Sequence, residues 1–234
     1  NVSLILNMLE LAKELKPEIF VQISTDEVYG PMLENEPHKE WSAIVPSNPY
    51  AASKAAQEAI AASYWRTYGV PVVITNTMNL VGTRQDPVKF LPKIIKYVLE
   101  GKSMPIYAKE DGIFGSRFYI DVRNQADAVL YIIKNVKPAS YEKGDMLLDK
   151  FNIVGEKQLN NLEFAQIVAK IIGKELKYEV ISFYSQFQRP GHDLHYGLSN
   201  GKMLGIGWNY PVSLEESLEG IVKWYIDNPE WLNL

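Results

Sequence analysis

The stretch IFVQISTDEVYG, residues 19–30, places a short apolar run directly before a cluster of polar side chains. A bounded apolar run of five residues is typical of a buried strand. A hydroxyl, two adjacent carboxylates and a phenol follow where this strand would end. Ligands of open α/β sheets bind at the carboxyl ends of the strands. The stretch therefore predicts a strand of a parallel sheet with a functional site at its end.

Helical periodicity on both sides of this strand predicts an α/β fold with a mostly parallel sheet. Helices are expected at Asn1–Lys16 and Pro49–Tyr68, and a second parallel strand at Val70–Thr75. Further strands are predicted at Met104–Tyr107, Arg117–Ile120, Phe151–Val154 and Tyr178–Ile181, and further helices at Val88–Glu100, Val122–Lys134, Asn161–Ile172 and Leu214–Ile226.

Composition excludes several classes of function. The 234 residues carry 24 Lys and Arg against 28 Asp and Glu, a net charge of −4 that argues against nucleic-acid binding. There is no cysteine, which rules out disulfides and thiolate metal sites. With only three histidines, the sequence also argues against a histidine metal site. No apolar run approaches the roughly 20 residues of a membrane helix. We therefore expect no metal, no nucleic acid, no membrane and a cytoplasmic location.

Tyr50 and Lys54 lie four residues apart on a predicted helix and so share one face. A free tyrosine has a pKa near about 10, and a neighbouring ammonium group lowers the pKa by stabilising the phenolate. The pair could therefore act as a base toward a sugar or alcohol hydroxyl. The spacing alone is weak, because two ordinary helix residues satisfy it equally well.

Asp26 and Glu27 strengthen that interpretation. Adjacent side chains at a strand end point in different directions, so one carboxyl can act as an acid and the other as a base in a single elimination. Thr25 supplies a hydroxyl that could bond a substrate oxygen beside Tyr50. The competing interpretation is a turn with solvated carboxylates. It loses weight once the tyrosine–lysine pair follows in the next helix.

Together, the motifs Thr25-Asp26-Glu27, Tyr50-Ala-Ala-Ser-Lys54 and Arg189-Pro-Gly-His192-Asp resemble those of the nucleotide-sugar 4,6-dehydratases. These lyases belong to the extended short-chain dehydrogenase/reductase superfamily, and the resemblance covers effectively the whole chain. It implies a Rossmann-like sheet with a smaller α/β substrate-binding lobe. It also implies NAD as cofactor and dTDP-glucose or UDP-glucose as substrate.

The resemblance implies a division of roles. Tyr50 takes the proton of the sugar 4-hydroxyl, which Thr25 bonds, while hydride passes from C4 to NAD. Glu27 removes the proton at C5, Asp26 protonates the departing C6 hydroxyl, and hydride returns to C6 to give a 4-keto-6-deoxy sugar. Lys54 tunes Tyr50 and holds the nicotinamide ribose. The remaining implied cofactor-binding residues are Ser24 and Asn76, and the implied substrate-binding residues are Asn79, Lys89, Arg117, Asn152, Arg189 and His192.

The same resemblance suggests a domain division. Residues 1–82 would be the remainder of an NAD-binding domain that carries the candidate catalytic side chains. Residues 83–234 would mainly form the nucleotide-sugar lobe, with 117–135 returning to the first domain. The family's glycine-rich NAD turn has no match here, and the chain starts within a helix. We therefore expect a longer parent protein, an incomplete NAD site and an inactive chain when isolated.

Two other functions stay open at this point. A nucleotide-sugar epimerase or decarboxylase would share the tyrosine–lysine pair, and a non-catalytic remnant would explain the missing glycine-rich turn.

Helix Pro49–Tyr68 is alanine-rich and apolar on nearly all sides, which predicts burial on both faces. Alanine also simply favours helix formation. With the broad apolar surface of Asn1–Lys16, the pattern predicts a homodimer through these two helices.

Overall fold

Strands and helices alternate along most of the chain. The structure, a computed structural model, describes residues 1–32, 36–109, 111–183 and 193–233. In chain order its regular elements are α1 (Val2–Leu15), β1 (Phe20–Thr25), α2 (Pro49–Tyr68), β2 (Val72–Thr77), β3 (Leu80–Val81), α3 (Phe90–Glu100), β4 (Met104–Ala108), β5 (Ser116–Phe118), β6 (Ile120–Asp121), α4 (Val122–Asn135), β7 (Asp149–Ile153), β8 (Gln158–Asn160), α5 (Asn161–Ile172), β9 (Tyr178–Ser182), α6 (Gly201–Gly205) and α7 (Leu214–Asp227). Short 3₁₀ helices cover Asp26–Tyr29, Tyr141–Lys143 and Pro229–Leu232.

Most predicted elements are present, with ends that differ by at most two residues. The strand predicted at Arg117–Ile120 was wrong as one element. It is divided into β5 and β6, because β5 pairs antiparallel with β8 whereas β6 pairs parallel with β3. Three elements were missed: β3, β8 and α6. Each has five residues or fewer, which is too short to show a periodicity.

A three-stranded parallel sheet in the order β1-β2-β7 positions the polar cluster. Thr75 in the middle strand is the register partner of Ile23 in β1 and of Phe151 in β7. The parallel arrangement predicted from the sequence is confirmed. Because the strands share one direction, their carboxyl ends lie at one edge, where Thr25, Thr77 and Ile153 end them.

Among the described residues, contacts divide the chain into two compact units. The first unit comprises the described parts of Asn1–Met78, Gln125–Val154 and Gly191–Asn209, and the second comprises those of Asn79–Asn124, Gly155–Pro190 and Tyr210–Leu234. Each unit thus consists of three separate segments of the chain. The prediction had a single boundary at residue 82 and one return to the first domain at 117–135. The functional assignment of the two domains stays a prediction.

The first unit has its own apolar core between α1, α2 and the sheet. Ile5 and Leu9 of α1 pack there with Trp65 of α2 and with Val72 and Ile74 of β2. The second unit buries a separate cluster in which α3, α5 and α7 supply most side chains. Its fully buried members include Ile94, Ile95, Phe164, Leu218 and Tyr225.

Within this chain α2 is buried on one face, and the prediction that a partner subunit covers the other face is not tested by it. The face that contains Ala51, Ala61 and Trp65 is buried, whereas Ala52 and Ala59 are exposed. The buried side also carries the polar residues Gln57 and Glu58. Their burial could not be predicted from the number of apolar residues in the helix. Helix α2 therefore packs on the sheet with one face only.

Glu58 forms a buried ion pair with Lys150 of β7. The Nζ and Oε2 atoms lie 2.7 Å apart, and the two side chains are 4% and 2% exposed. Glu58 Oε1 also accepts a hydrogen bond from Asn76 Nδ2 at 2.7 Å. The Lys150 ammonium lies 4.6 Å from the centroid of the Tyr29 ring, which adds a cation–π contact. These partners compensate for the removal of both charges from water.

We predict that Glu58→Gln destabilises the fold strongly, because the buried Lys150 ammonium would lose its counter-charge while Asn76 keeps an acceptor. Breaking a buried pair from one side costs about 3–5 kcal/mol. The double variant Glu58→Gln/Lys150→Met should recover most of that loss. Urea unfolding measures both. Glu100→Gln, which breaks an exposed pair with Lys102, is the matched control and should leave stability unchanged; equal behaviour of the two glutamine variants would contradict the prediction.

Candidate active site

The polar cluster lies where β1 gives way to the 3₁₀ helix Asp26–Tyr29. Thr25 caps that helix by accepting a hydrogen bond at Oγ1 from the Glu27 N–H at 3.4 Å. Gly30 ends it with φ of 77°, and a Cβ at this position would lie 2.4 Å from the Val45 carbonyl oxygen. Only glycine allows the chain to turn so closely against residue 45. The turn thereby orients the two carboxylates at the edge of the sheet.

Asp26 and Glu27 have different hydrogen-bond partners. Asp26 is buried and accepts a 3.0 Å hydrogen bond from the Thr25 hydroxyl. Glu27 is only partly buried, and its Oε2 accepts a 2.9 Å hydrogen bond from the Asn48 amide. Two adjacent carboxyls in different environments can take different protonation states, which is what an acid and a base acting on one substrate require.

Tyr50 lies in the first turn of α2 and its side chain is about half exposed. The pKa of Tyr50 is raised, first by burial and then by the negative charges of Glu27 and Asp26. A hydrogen bond with Thr25 opposes this shift and lowers the pKa. Thr25 and both carboxylates therefore act on the Tyr50 phenol, and the catalytic roles of these four residues stay predictions.

Lys54 contacts the end of β1. Its Nζ donates a 2.6 Å hydrogen bond to the Ile23 carbonyl oxygen, and burial lowers its pKa while Glu58 partly opposes that shift. Lys54 is not among the causes of the Tyr50 shift, and its expected effect on the phenol stays a prediction. The lysine satisfies a carbonyl at the end of β1, and the nearby carboxylates dominate the field at the phenol.

The two remaining residues expected at the cofactor differ in their surroundings. The Ser24 hydroxyl is buried and has no hydrogen-bond partner among the described residues. Asn76 is fully buried, and its amide donates to the Thr25 carbonyl at 2.9 Å and to Glu58. A buried donor without a partner suits a polar ligand group. The Ser24 environment therefore fits NAD, whereas Asn76 holds the end of β1 in place.

The predicted substrate-binding residues are spread over both units. Asn79, Lys89 and Arg117 belong to the second unit, where Asn79 and Lys89 are exposed and Arg117 donates to the Ser116 carbonyl at 2.7 Å. Asn152 belongs to the first unit and is fully buried, with its amide donating to the His38 carbonyl at 3.0 Å. Arg189 and His192 lie outside the described residues. Their roles in substrate binding stay predictions.

Asn48 contacts the site and was not predicted from the sequence. Its side chain caps α2 by accepting from the Ala51 N–H at 2.9 Å, and it also donates to Glu27. Asparagine followed by proline is a recognisable helix-start signal, so the cap could have been predicted. The contact with Glu27 could not, because it depends on how α2 packs beside β1.

Two further findings limit the kinds of site present in the parts of the chain that the structure describes. No group of three or more His, Cys, Asp or Glu side chains there is arranged to hold a metal ion. None of the helices in those parts combines the length and the apolar character needed to cross a membrane.

Comparisons with known proteins give consistent results. Residues 1–144 match the NAD-dependent epimerase/dehydratase family. The chain is 33% identical over 229 residues to dTDP-glucose 4,6-dehydratase of Salmonella typhimurium, covering 92% of this chain and 60% of that protein. It is 31% identical over 216 residues to RHM2 of Arabidopsis thaliana, a trifunctional UDP-glucose 4,6-dehydratase/UDP-4-keto-6-deoxy-D-glucose 3,5-epimerase/UDP-4-keto-L-rhamnose-reductase. This match covers 91% of this chain and 30% of that protein. The chain thus spans about 60% of the length of the Salmonella relative.

A solved structure resembles the fold along the whole chain. The dTDP-glucose 4,6-dehydratase DesIV of Streptomyces venezuelae, with NAD bound, superposes with a TM-score of 0.85 at 28% sequence identity. The match covers all of this chain and 67% of that one.

We predict that Glu27→Gln lowers the pKa of Tyr50, and that Asp26→Asn lowers it by a smaller amount. Each variant removes a negative charge that disfavours the phenolate, and Glu27 has the larger effect of the two. Carbon NMR of ring-labelled tyrosine measures the titration, with Tyr50→Phe to assign the resonance. Glu14→Gln, an exposed carboxylate of α1, is the control. An unchanged or higher pKa of Tyr50 in Glu27→Gln would show that the negative charge of Glu27 does not raise the Tyr50 pKa.

Proposed function

The chain belongs to the NAD-dependent epimerase/dehydratase family, and on that premise we propose that its parent protein dehydrates a nucleotide-diphosphate hexose to the 4-keto-6-deoxy sugar. The observation that carries the proposal is the cluster of Thr25, Asp26 and Glu27 beside Tyr50 at the carboxyl end of β1. Relatives named for dTDP-glucose and for UDP-glucose dehydration support either nucleotide. The activity, a lyase reaction, is proposed for the parent and not for the isolated chain.

Tyr50 and Thr25 would act at the sugar 4-hydroxyl. Thr25 is hydrogen-bonded with the phenol and can orient the substrate oxygen beside it, and Tyr50 takes the proton. Burial and two carboxylates raise the pKa of Tyr50, so the base form needs a positive charge near the phenol. We propose that Lys54, one helical turn along α2, supplies that charge when the site is filled.

Glu27 and Asp26 would carry out the elimination. Glu27 takes the proton from C5, next to the new carbonyl group, and Asp26 gives a proton to the departing C6 hydroxyl, which leaves as water. The proton on Glu27 then returns to C5, so the sugar has lost one water molecule in all. The separate partners of the two carboxyls, Thr25 for Asp26 and Asn48 for Glu27, support separate roles.

NAD would be held at this edge by Ser24, Tyr50, Lys54 and Asn76. When bound, NAD supplies the hydride acceptor at C4 and the hydride donor at C6. The unpartnered Ser24 hydroxyl supports a polar ligand group at the end of β1. Asn76 would contribute indirectly, since its amide already holds the Thr25 carbonyl.

The nucleotide diphosphate would be bound by the polar and basic side chains that the family resemblance implies. Arginine is well suited to a diphosphate because its guanidinium group can form two parallel hydrogen bonds. We propose that residues 1–82 carry the chemistry and that 83–234 mainly bind the substrate, with a cytoplasmic location for the parent. The proposed substrate-binding residues are Asn79, Lys89, Arg117, Asn152, Arg189 and His192.

We predict that the full-length parent converts dTDP-glucose or UDP-glucose into a 4-keto-6-deoxy product, which NMR identifies. Asp26→Asn and Glu27→Gln should each slow product formation about 100-fold or more, because each removes one proton-transfer group. Oxidation at C4, followed by nicotinamide absorbance, should persist in both variants. Glu175→Gln, an exposed carboxylate, is the control.

Two results would contradict the dehydratase assignment. One is the absence of a 4-keto-6-deoxy product from both hexoses. The other is full turnover by the Asp26 and Glu27 variants, which would instead favour an epimerase or a decarboxylase.

The outer face of α1 supports a homodimer. Leu4, Met8, Leu11 and Leu15 follow one another at intervals of three or four residues and are all exposed, with Leu4 and Leu15 at 65% and 70%. Such spacing places them in one stripe along the helix. Contiguous exposed apolar surface of this kind is typical of protein–protein interfaces. We propose that two parents associate through helices 1–16 and 49–68.

We predict that Leu4→Lys/Leu11→Lys converts a dimeric parent into a monomer, since two charges would be buried at the interface. Light scattering measures the mass, and far-UV circular dichroism checks that the fold is retained. Leu147→Lys changes another exposed leucine, outside α1 and α2, and should leave the dimer intact. A monomeric wild type, or a variant that stays dimeric, would overturn the proposal.

A further inference from the structure

Asn48 joins the proposed base of the elimination to the start of the helix that carries Tyr50. Its Nδ2 lies 2.9 Å from Glu27 Oε2, and its Oδ1 lies 2.9 Å from the Ala51 backbone nitrogen. Both distances are those of good hydrogen bonds. One side chain therefore contacts the 3₁₀ helix after β1 and the first turn of α2.

The orientation of the Asn48 amide follows from its partners. A backbone N–H can only donate, so the atom facing Ala51 must be the carbonyl oxygen Oδ1. The amide nitrogen then necessarily faces the Glu27 carboxylate. Pro49 at the first helical position has no N–H of its own, which leaves the Ala51 N–H as a free donor for the cap.

The helix cap thus holds Nδ2 at a set position beside Glu27. Because Asn48 directly precedes the helix that begins at Pro49, its side chain moves together with the first turn that contains Tyr50. We infer that Asn48 is a positioning residue that holds the Glu27 carboxylate, aimed at C5, in place relative to Tyr50. This inference rests on the dehydratase function proposed above.

An amide donor at this position has a specific chemical consequence. A hydrogen bond donated to a carboxylate stabilises its ionised form, which is the form a base needs. Asp26 on the same 3₁₀ helix and Tyr50 on α2 are the titratable neighbours of this edge. Asp193 is tied to Ser47 at 2.8 Å, next to Asn48 in the chain.

A cap with no further role is the competing explanation, and two substitutions separate the explanations. Serine and aspartate are both good N-cap residues, so Asn48→Ser and Asn48→Asp keep a cap on α2. The serine variant removes the amide donor from Glu27. The aspartate variant replaces that donor by a second negative charge, which favours the protonated form of Glu27. A pure cap would tolerate both changes.

The test uses the full-length parent and a readout that depends on Glu27 but not on oxidation at C4. The 4-keto-6-deoxy product is incubated with enzyme in heavy water, and NMR follows the exchange of the C5 proton for deuterium. Exchange requires Glu27 to remove that proton and to return a deuteron. The rate is measured over a range of pH for the wild type and for both Asn48 variants.

We expect Asn48→Ser to slow C5 exchange roughly tenfold, the effect of losing one hydrogen bond to a charged group, and to move the pH midpoint upward by less than the aspartate variant does. Asn48→Asp should move the midpoint about one unit toward higher pH. The matched controls are Asn160→Ser and Asn160→Asp, which make the same changes at the N-cap of α5. Both controls should exchange at the wild-type rate and midpoint.

The outcomes distinguish this inference from the proposed function. A wild type that neither dehydrates a nucleotide hexose nor exchanges C5 would overturn the function itself. A wild type that does both, with Asn48 variants that exchange like the Asn160 controls, would overturn the positioning role alone. Equal slowing by serine and aspartate, with no change of midpoint, would also overturn it, because it would reduce Asn48 to a structural cap.

Discussion

The buried ion pair between Lys150 and Glu58 is the interaction on which the first unit depends most. It joins β7 to α2 across the sheet, and neither side chain has access to water that could replace its partner. Glu58 also accepts a hydrogen bond from the Asn76 amide, and the same amide donates to the Thr25 carbonyl. Two charges removed from solvent are tolerated only with full compensation. The end of β1, and with it the polar cluster, is therefore held by the core of the unit.

Around this anchored strand end, two local devices arrange the carboxylates. Gly30 allows a close turn that no side chain could accept, and Asn48 bonds Glu27 while it starts α2. Thr25 contacts Asp26 and acts on Tyr50 as well. Asp26 and Tyr50 thus share Thr25 as a partner, whereas the Glu27 carboxylate is bonded by Asn48.

The direction of the Tyr50 pKa sets a requirement for the proposed chemistry. Burial and negative neighbours stabilise the neutral phenol, so the chain alone holds Tyr50 in the form that cannot accept a proton. Lys54 is bonded to the end of β1. The proposed reaction therefore requires that filling the site brings positive charge to the phenol.

The amino-acid sequence alone determined the features that depend on local signals. Helix α2 was predicted with its observed ends, Pro49 and Tyr68, because Gly69 and Pro71 mark where it stops. The fold class and the motif Thr25-Asp26-Glu27 were likewise readable from one short stretch. Only the tertiary structure decided the Lys150–Glu58 pair, the Asn48–Glu27 bond and the direction of the Tyr50 pKa. These arise from contacts between residues far apart in sequence, 92 positions for the ion pair, and no local pattern encodes them.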